Sequence, residues 1–319
     1  MRRSPRSILR PVLATALAGA AAAAIAGCGL DTTAAGGDIR VLVTQNFGTT
    51  QQGARLMPNA PGQVNAMRLL KDNFPVETTD DGHLVKSIGG VAGSTDDGPR
   101  TGWRYYINGL SSPKVATAQK VHDGDTLWLD RHELSASHSI RAIVGAFPEP
   151  FVHGFDGRRW PILLECVDPN GAVCNEVSDR LNDVGVLANK QVIGTGVGQE
   201  TMRVFVGPWS RLRGDVVLRQ LDEGPTVSGV YARFDQDGAR LNLLDGGGKK
   251  VVRTLGAGTG FIFATRFAAQ APTWAITGTD DAGVMAAAKG LTQQRLSHHF
   301  AVAIAPGGRT VPAPVVGTP

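Results

Sequence analysis

The alternation of hydrophobic and polar positions in the first third of the chain predicts strands around a single helix. Period-two alternation with aromatic and β-branched residues indicates strands, and apolar residues three and four apart indicate a helix. On these patterns we predict a strand over 38–45, a helix over 62–72, a hairpin over 76–91, and aromatic strands over 102–109 and 125–130. This order of elements favours a small α+β domain over residues 38–132, with one helix packed on a mixed sheet.

The second half of the chain has a different pattern, in which short apolar runs alternate with helical segments. We predict strands at 161–166, 202–207, 273–277 and 300–304, and helices at 175–186 and 281–291. Strands separated by helices favour a largely parallel sheet with both faces covered, so residues 160–306 are predicted to form an α/β domain. Residues 133–159 are predicted to be a connector, and residues 307–319 a disordered Pro-rich tail.

The first 28 residues have the layout of a secretory signal. Four arginines and no acid precede an apolar stretch that ends at Ile25-Ala-Gly-Cys28. This ending resembles the lipobox of bacterial lipoproteins, in which the Cys thiol accepts a lipid and becomes the first mature residue. We expect residues 1–27 to be removed, Cys28 to be lipidated, residues 28–37 to be a tether, and the protein to sit on the extracytoplasmic face of the cell membrane. The alternative is a plain signal peptide with an incidental Cys.

The charge balance changes when that segment is set aside. The chain has 32 Lys and Arg against 28 Asp and Glu, but residues 1–27 contribute four Arg and no acid. The remainder is formally neutral and lacks the excess of basic residues that nucleic-acid binding needs, so we expect no nucleic-acid partner.

Two cysteines remain after Cys28. Cys166 and Cys174 enclose a turn-rich loop, and an even pair in an oxidising compartment favours a local disulfide over two buried free thiols. A metal site is not expected at this pair, because no further Cys and no suitably spaced His flank it.

Two motifs in the aromatic strands resemble a known family. Gly102-Trp-Arg-Tyr-Tyr-Ile-Asn-Gly109 and His122-Asp-Gly-Asp-Thr-Leu-Trp-Leu129 are similar to the transcobalamin-like C-terminal domain, a domain of unknown function in bacterial surface proteins. The resemblance covers residues 38–132 and implies a β-grasp-like fold. The expected fold class is therefore α+β, with an N-terminal β-grasp-like domain followed by a C-terminal α/β domain. The resemblance also implies a corrinoid as a ligand, while no resident cofactor is expected.

The aromatic strands also suggest where a ligand binds. Alternation places Trp103 and Tyr106 on opposite faces of the first strand, and Trp128 opposite to two leucines in the second. Because the apolar-richer faces are expected to form the core, we expect Trp103 to be buried and Tyr106, Trp128 and the neighbouring Asn108 to contact a ligand or partner. The alternatives are that all these aromatic rings belong to the core and that Asn108-Gly109 is only a turn.

Other candidate sites have equally good structural explanations. Asp123 and Asp125 could hold a cation, but Asp-Gly-Asp is also a hairpin turn. Residues 277–281 end a strand where open α/β sheets bind ligands, yet Thr279 or Asp280 could simply cap the next helix. The glycine-rich runs and the His-Glu pair in the sequence lack the spacing of dinucleotide, phosphate and zinc-protease motifs, so we expect no enzyme activity.

These observations favour a lipid-anchored extracytoplasmic binding or accessory protein that captures a small ligand for a membrane transporter. The alternative is a structural or protein-interaction module of the cell envelope without a small-molecule ligand.

Overall fold

Five β-sheets and a few helices make up the part of the chain that the structure, a computed structural model, describes: residues 37–58, 64–95, 98–196, 198 and 200–317. Most of the regular structure lies in strands, so the fold is mixed α+β. Cys28 and the expected signal segment lie outside the described residues. None of the helices in the described part of the chain combines the length and the apolar composition that a membrane span needs.

The N-terminal region, residues 37–133, combines a short helix with the strands of three sheets. In chain order its elements are β1 (Ile39–Gln45), β2 (Thr50–Met57), β3 (Val64–Asn65), α1 (Ala66–Asn73), β4 (Val76–Thr79), β5 (Leu84–Ile88), β6 (Val91–Ala92), β7 (Thr101–Ile107), β8 (Leu110–Ser111), β9 (Lys120–Val121) and β10 (Thr126–Glu133). The main sheet has the strand order β2-β1-β10-β7-β8. Its central neighbours β1 and β10 are parallel, and the other neighbours are antiparallel.

Helix α1 begins and packs as its sequence dictates. The side chain of Asn65 accepts a hydrogen bond from the backbone N–H of Arg68 at 2.8 Å, which caps the first turn. Met67, Leu69 and Leu70 are buried and belong to one hydrophobic cluster with the main sheet. The helix therefore covers one face of that sheet.

The two faces of the main sheet carry different side chains, because successive residues of a strand point to opposite sides. The face that packs with α1, here called the helix face, presents Val41, Val43, Trp103, Ile107, Leu127 and Leu129. The opposite face, here called the docking face, presents Leu42, Thr44, Tyr106, Trp128, Asp130 and His132. Both sets are buried.

The C-terminal region, residues 160–317, contains a larger sheet and a small one. In chain order its elements are β11 (Ile162–Cys166), α2 (Ala172–Asn182), β12 (Asn189–Val192), β13 (Met202–Val206), α3 (Trp209–Leu212), α4 (Gln220–Glu223), α5 (Pro225–Ser228), β14 (Ala232–Phe234), β15 (Leu241–Leu244), β16 (Val251–Leu255), β17 (Gly260–Thr265), β18 (Thr273–Gly278), α6 (Asp281–Gly290), α7 (Gln293–Leu296), β19 (Ala301–Ile304) and β20 (Thr310–Ala313). The large sheet has the order β12-β11-β13-β18-β17-β19-β20, and β14-β15-β16 form the small one. The first four strands of the large sheet are parallel and the last three antiparallel, so the expected parallel arrangement holds for one part of it.

The segment 133–159, predicted to be a connector, is largely buried. Ile143, Val144, Phe147 and Phe151 are at most 2% exposed. The ring of Phe151 lies 4.8 Å from that of Trp274 in β18, measured between centroids. The segment is thus part of the core, because its apolar residues fill space between the two regions.

Residues 307–319 are not a disordered tail throughout, which corrects the prediction for this segment. Residues 310–313 form β20, which pairs with β19. Val311 and Ala313 are buried in the cluster that covers the large sheet. An edge strand tolerates Pro312 because only one side of it needs backbone donors, so the Pro-rich composition was misleading.

Candidate functional site

Tyr106 and Trp128, two of the predicted ligand-binding residues, are buried on the docking face. Tyr106 is 1% exposed and Trp128 is 0% exposed. The ring of Phe300 meets both edge-on, with centroid distances of 5.7 Å to Tyr106 and 5.6 Å to Trp128. The expectation that these two rings face outwards is therefore wrong, because the C-terminal region covers the docking face.

A polar network lies beside these rings. Asp130 is fully buried and accepts hydrogen bonds from Thr44 Oγ1 at 2.5 Å and from the backbone N–H groups of residues 47–48 at 3.0 and 2.9 Å. His132 Nδ1 lies 2.8 Å from Asp130 Oδ1, and Trp128 Nε1 donates to Thr44 Oγ1 at 2.7 Å. Since a buried carboxylate without partners is costly, these donors stabilise the closed docking face.

Asn108, the third predicted ligand-binding residue, holds a turn together. Its φ is 53°, in the left-handed region. Its Nδ2 donates to Asp125 Oδ1 at 2.6 Å and to the Gly154 carbonyl at 2.9 Å, while its Oδ1 accepts from the backbone N–H of Thr126 at 2.8 Å. Asn108 is 0% exposed, so its amide serves the fold and does not reach a ligand.

The turn between β9 and β10, which Asn108 contacts through Asp125, contains the carboxylates that were considered for a cation. Burial raises the pKa of the Asp125 carboxyl, although hydrogen bonds from the His122 backbone and from Asn108 act in the opposite direction. Across the residues described, no group of three or more His, Cys, Asp or Glu side chains is arranged to hold a metal ion. Asp123 and Asp125 lie in the turn between β9 and β10, where Asp125 Oδ2 accepts a hydrogen bond from the backbone N–H of His122 at 2.8 Å. Because β9 pairs with β3 and β10 pairs with β1 and β7, this turn does not join the two strands of a hairpin as the sequence suggested.

The carboxyl ends of the parallel strands in the large sheet form a cleft. Cys166 and Cys174 are joined by a disulfide there, the pairing that the sequence favoured, and it links β11 to the first turn of α2. The cleft has a volume of about 550 Å³, and its charged lining residues are Asp168, Arg211 and Asp281. Charges of both signs at this edge select no particular class of ligand.

Residues 277–281 fit the capping interpretation. Asp280 is the N-cap of α6, and its Oδ1 accepts from the backbone N–H of Gly283 at 2.8 Å. Its Oδ2 accepts from the backbone N–H of Gly258 at 2.7 Å. Both carboxylate oxygens are therefore occupied within the chain.

A cavity of about 270 Å³, here called the aromatic cavity, opens at the edge of β7. It is lined by residues 83–85, 103–106, 111–116, 137–138 and 140, together with Leu129. These segments are far apart in the sequence, and the tertiary fold brings them together. The cavity therefore lies at the edge of the predicted aromatic strand, where Trp103 and Tyr105 of the helix face meet Tyr106 and Ile140 of the other face.

Hydrogen bonds hold the two aromatic rings of the cavity in place. The hydroxyl of Tyr105 donates to the Lys114 carbonyl, and Trp103 Nε1 donates to the Val91 carbonyl at 3.0 Å. Burial raises the pKa of the Tyr105 hydroxyl, so it remains a neutral donor at physiological pH. Trp103 is only 7% exposed, as the sequence predicted, whereas Tyr105 is half-buried and forms part of the cavity wall.

The edge of β7 beside the cavity lacks a neighbouring strand. β8 pairs only with Tyr106 and Ile107, and a single bridge joins Ser94 to Thr101. Between these two points, no strand in the described part of the chain pairs with residues 102–105 on this side. Exposed side chains flank the opening: Leu84 is 50% exposed and Val115 is 40% exposed.

The ionisable side chains that line the aromatic cavity are all basic. Arg104, Lys114, His83 and His138 contribute to it, and no Asp or Glu is found among its described lining residues. Lys114 Nζ lies 2.5 Å from Asp156 Oδ2, and this contact lowers the pKa of the Asp156 carboxyl. Arg104 has no such carboxylate partner within 4.0 Å in the described residues, and its Nη1 donates to the Trp103 carbonyl at 3.2 Å.

In the sequence, the aromatic pattern of β7 was the signal that pointed to this site. The other walls, at 83–85, 111–116, 137–138 and 140, carry no motif, and only the folded chain shows that they meet.

Comparison with known proteins finds a family model that matches one segment of the chain. No curated protein matches the chain. Among solved structures it is similar to a protein from Ruminococcus gnavus ATCC 29149 described as a candidate metal-binding protein, with 16% identity and a TM-score of 0.26, over 31% of this chain and 98% of that chain. Residues 64–133 match the family described as Domain of unknown function (DUF4430), and most of the aromatic cavity is built from this matched segment.

Proposed function

We propose that this protein is a lipid-anchored extracytoplasmic binding protein that holds a small ligand in the aromatic cavity. The observation that carries the proposal is the cavity itself, about 270 Å³ in volume, with the rings of Trp103 and Tyr105 fixed in its wall. Concave sites with an apolar aromatic lining and a few polar groups are the usual form of small-molecule sites.

The anchor rests on the sequence around Cys28. An Arg-rich start, an apolar stretch and Ile25-Ala-Gly-Cys28 together support export and lipidation. Such an anchor would keep the cavity next to the membrane, where captured ligand can pass to a transporter. Cys28→Ser should release the protein from membranes or leave it uncut; an acylated, shortened Ser variant in metabolic labelling would contradict the anchor.

The proposal includes a β-grasp-like fold for residues 38–132. The strand order β2-β1-β10-β7-β8, with a parallel central pair and α1 on one face, supports this interpretation. A whole corrinoid macrocycle is too large for a cavity of about 270 Å³, so we propose a smaller ligand than the transcobalamin resemblance implies.

The test is a thermal-shift screen of small molecules on the full-length protein in detergent. A ligand present at 100 times its Kd should stabilise the protein by about 2.7 kcal/mol. Tyr105→Ala should abolish that stabilisation, and Leu56→Ala, an exposed site on β2 outside the cavity lining, should keep it. Equal stabilisation of both variants would place the ligand elsewhere, and a screen without any stabilising compound would argue against small-ligand binding.

A second candidate function is a protein-interaction module of the cell envelope. The observation that favours it is the open edge at residues 102–105, flanked by exposed Leu84 and Val115. Such an edge can accept an extended segment of another chain as an added strand. The test replaces Leu84 by a photo-crosslinking amino acid. Crosslinking in cells to one envelope protein would support the module, provided that the crosslink disappears when Val115 is changed to Lys.

A further inference from the structure

We propose that the ligand of the aromatic cavity is a planar aromatic compound of one or two rings that carries a single acidic group. This inference rests on the proposed binding function and specifies the chemical class of the ligand. It follows from three properties of the cavity: its charge, its fixed rings and its size.

The charge comes from the basic lining. Of the two full cations, Lys114 is already compensated by Asp156, at 2.5 Å. Arg104 is exposed, lines the cavity, and has no carboxylate within 4.0 Å in the part of the chain described. Its guanidinium uses one N–H on the Trp103 carbonyl, which leaves donors in the planar fork that matches a carboxylate.

Asp130 lies opposite Arg104 in the register of β10 and β7, and it must be considered as a competing partner. Its oxygens already accept from Thr44 and from two backbone N–H groups, and they face the closed network on the docking face. Arg104 is therefore the group that remains available for an anion entering from solvent.

The shape of the site favours a flat apolar body. Tyr105 and Trp103 are each tied to a backbone carbonyl, so their rings are held before a ligand arrives. Fixed aromatic surfaces bind planar ligands at a low cost in side-chain entropy. A volume of about 270 Å³ has room for one or two fused rings.

The test uses three probes that share a naphthalene body and differ in charge: 2-naphthoate, neutral 2-naphthamide and cationic 2-naphthylmethylammonium. Each is titrated into the full-length protein by isothermal titration calorimetry at pH 7.5. We expect 2-naphthoate to bind at least about tenfold more tightly than 2-naphthamide, the size of effect typical of a hydrogen bond to a charged group. The ammonium probe should bind most weakly, because a basic lining repels it.

Variants then assign the preference to Arg104. Arg104→Gln should reduce the ratio of naphthoate to naphthamide affinity to about one, chiefly by weakening naphthoate binding, and Arg104→Lys should keep part of the preference. Arg240→Gln, an exposed site between β14 and β15, is the matched control and should change nothing. Melting curves of each variant verify that the chain is folded.

The outcomes separate this inference from the function on which it rests. Equal binding of naphthoate and naphthamide, lost in Tyr105→Ala, would overturn the anionic class and leave small-ligand binding intact. A naphthoate preference that survives Arg104→Gln would also overturn it. Absence of binding by all three probes would overturn the aromatic class, and the proposed binding function would then stand or fall with the ligand screen.

Discussion

The two faces of the main N-terminal sheet are both buried, but by different means. The helix face is covered by α1, which lies within the same stretch of sequence. The docking face is covered by residues far along the chain, including Tyr231 and Phe300. The docking face also carries a buried carboxyl group, that of Asp130, with its own set of donors. An aromatic and polar surface that looks like a ligand site in the sequence can thus be an interface inside one chain.

The comparison is tested most strongly by Trp128→Ala on the docking face. Removing this fully buried ring should lower the free energy of unfolding by roughly 3–5 kcal/mol, because a cavity forms. Urea denaturation of the full-length protein measures the change. Trp128→Phe, which keeps most of the ring volume but loses the donor to Thr44, should cost only about 1–3 kcal/mol. If Trp128→Ala lost less stability than Trp128→Phe, the C-terminal region would not cover this face in solution.

The next largest effect is expected in the C-terminal region, at the disulfide. Replacing Cys166 and Cys174 together by Ala should lower the free energy of unfolding by about 2–3 kcal/mol, the chain-entropy value for a short closed loop. Denaturation curves of the double variant and of the unaltered protein measure this difference in unfolding free energy. Unreduced peptides in mass spectrometry with both thiols free would contradict the pairing.

A smaller change should follow from Asp130→Asn. The variant keeps the size of the side chain but replaces a charged acceptor, which should cost about 2 kcal/mol. The matched variant Thr44→Val removes one donor to Asp130 and should give a smaller loss of unfolding free energy. If Asp130→Asn were neutral, the network would contribute nothing to closing the docking face.

At the edge of the helix face, Tyr105→Phe should have little effect on stability. The variant loses one hydrogen bond to the Lys114 carbonyl, so a loss of about 0.5–1.5 kcal/mol is expected. Thermal unfolding measures it. A loss as large as that of Trp128→Ala would place Tyr105 in the core and remove it from the cavity wall.

The smallest effect is expected in the pH dependence of stability, from two histidines that border the docking face. Burial lowers the pKa of His298 and of His299, so the folded state favours their neutral forms. This contribution to stability is complete above the ordinary His pKa of about 6.5 and is lost as the pH falls below it. The free energy of unfolding should therefore decrease less between pH 7.5 and pH 5.5 in the His298→Asn, His299→Asn double variant than in the unaltered protein.

His153 provides a control of opposite sign. Its hydrogen bond with Glu149 raises its pKa, so its contribution is present at low pH and is lost as the pH rises through the shifted pKa. His153→Asn should make the loss on acidification steeper. The same change in slope from both variants would contradict the assignment of these shifts.

The sequence predicts the local part of this structure well. Helix α1, strands β7 and β10 and the opposite faces of Trp103 and Tyr106 follow from periodicity, which reports which side chains share a face. Periodicity does not report what covers that face, and this is why Tyr106 and Trp128 were expected to be exposed. The strand β2 was missed because its residues are mostly exposed and do not alternate, and the sheet β14-β15-β16 because its strands are short.

The candidate site was predictable only in part. The aromatic residues of β7 pointed to the right strand, but the aromatic cavity also needs residues 83–85, 111–116, 137–138 and 140. Their proximity depends on packing between distant segments, for which a single sequence holds no signal. The basic lining likewise becomes visible only when Arg104 and Lys114 are seen on the same opening.

The cover over the docking face also sets an order of events during synthesis. The ribosome synthesises β1 to β10 well before it adds Phe300, so Tyr106 and Trp128 stay exposed on the nascent chain until then. Such half-covered intermediates attract other chains, and contacts between distant ends of a sequence form late. We therefore expect recovery of this protein from a foreign host to depend on the supply of holding chaperones more than on its final stability.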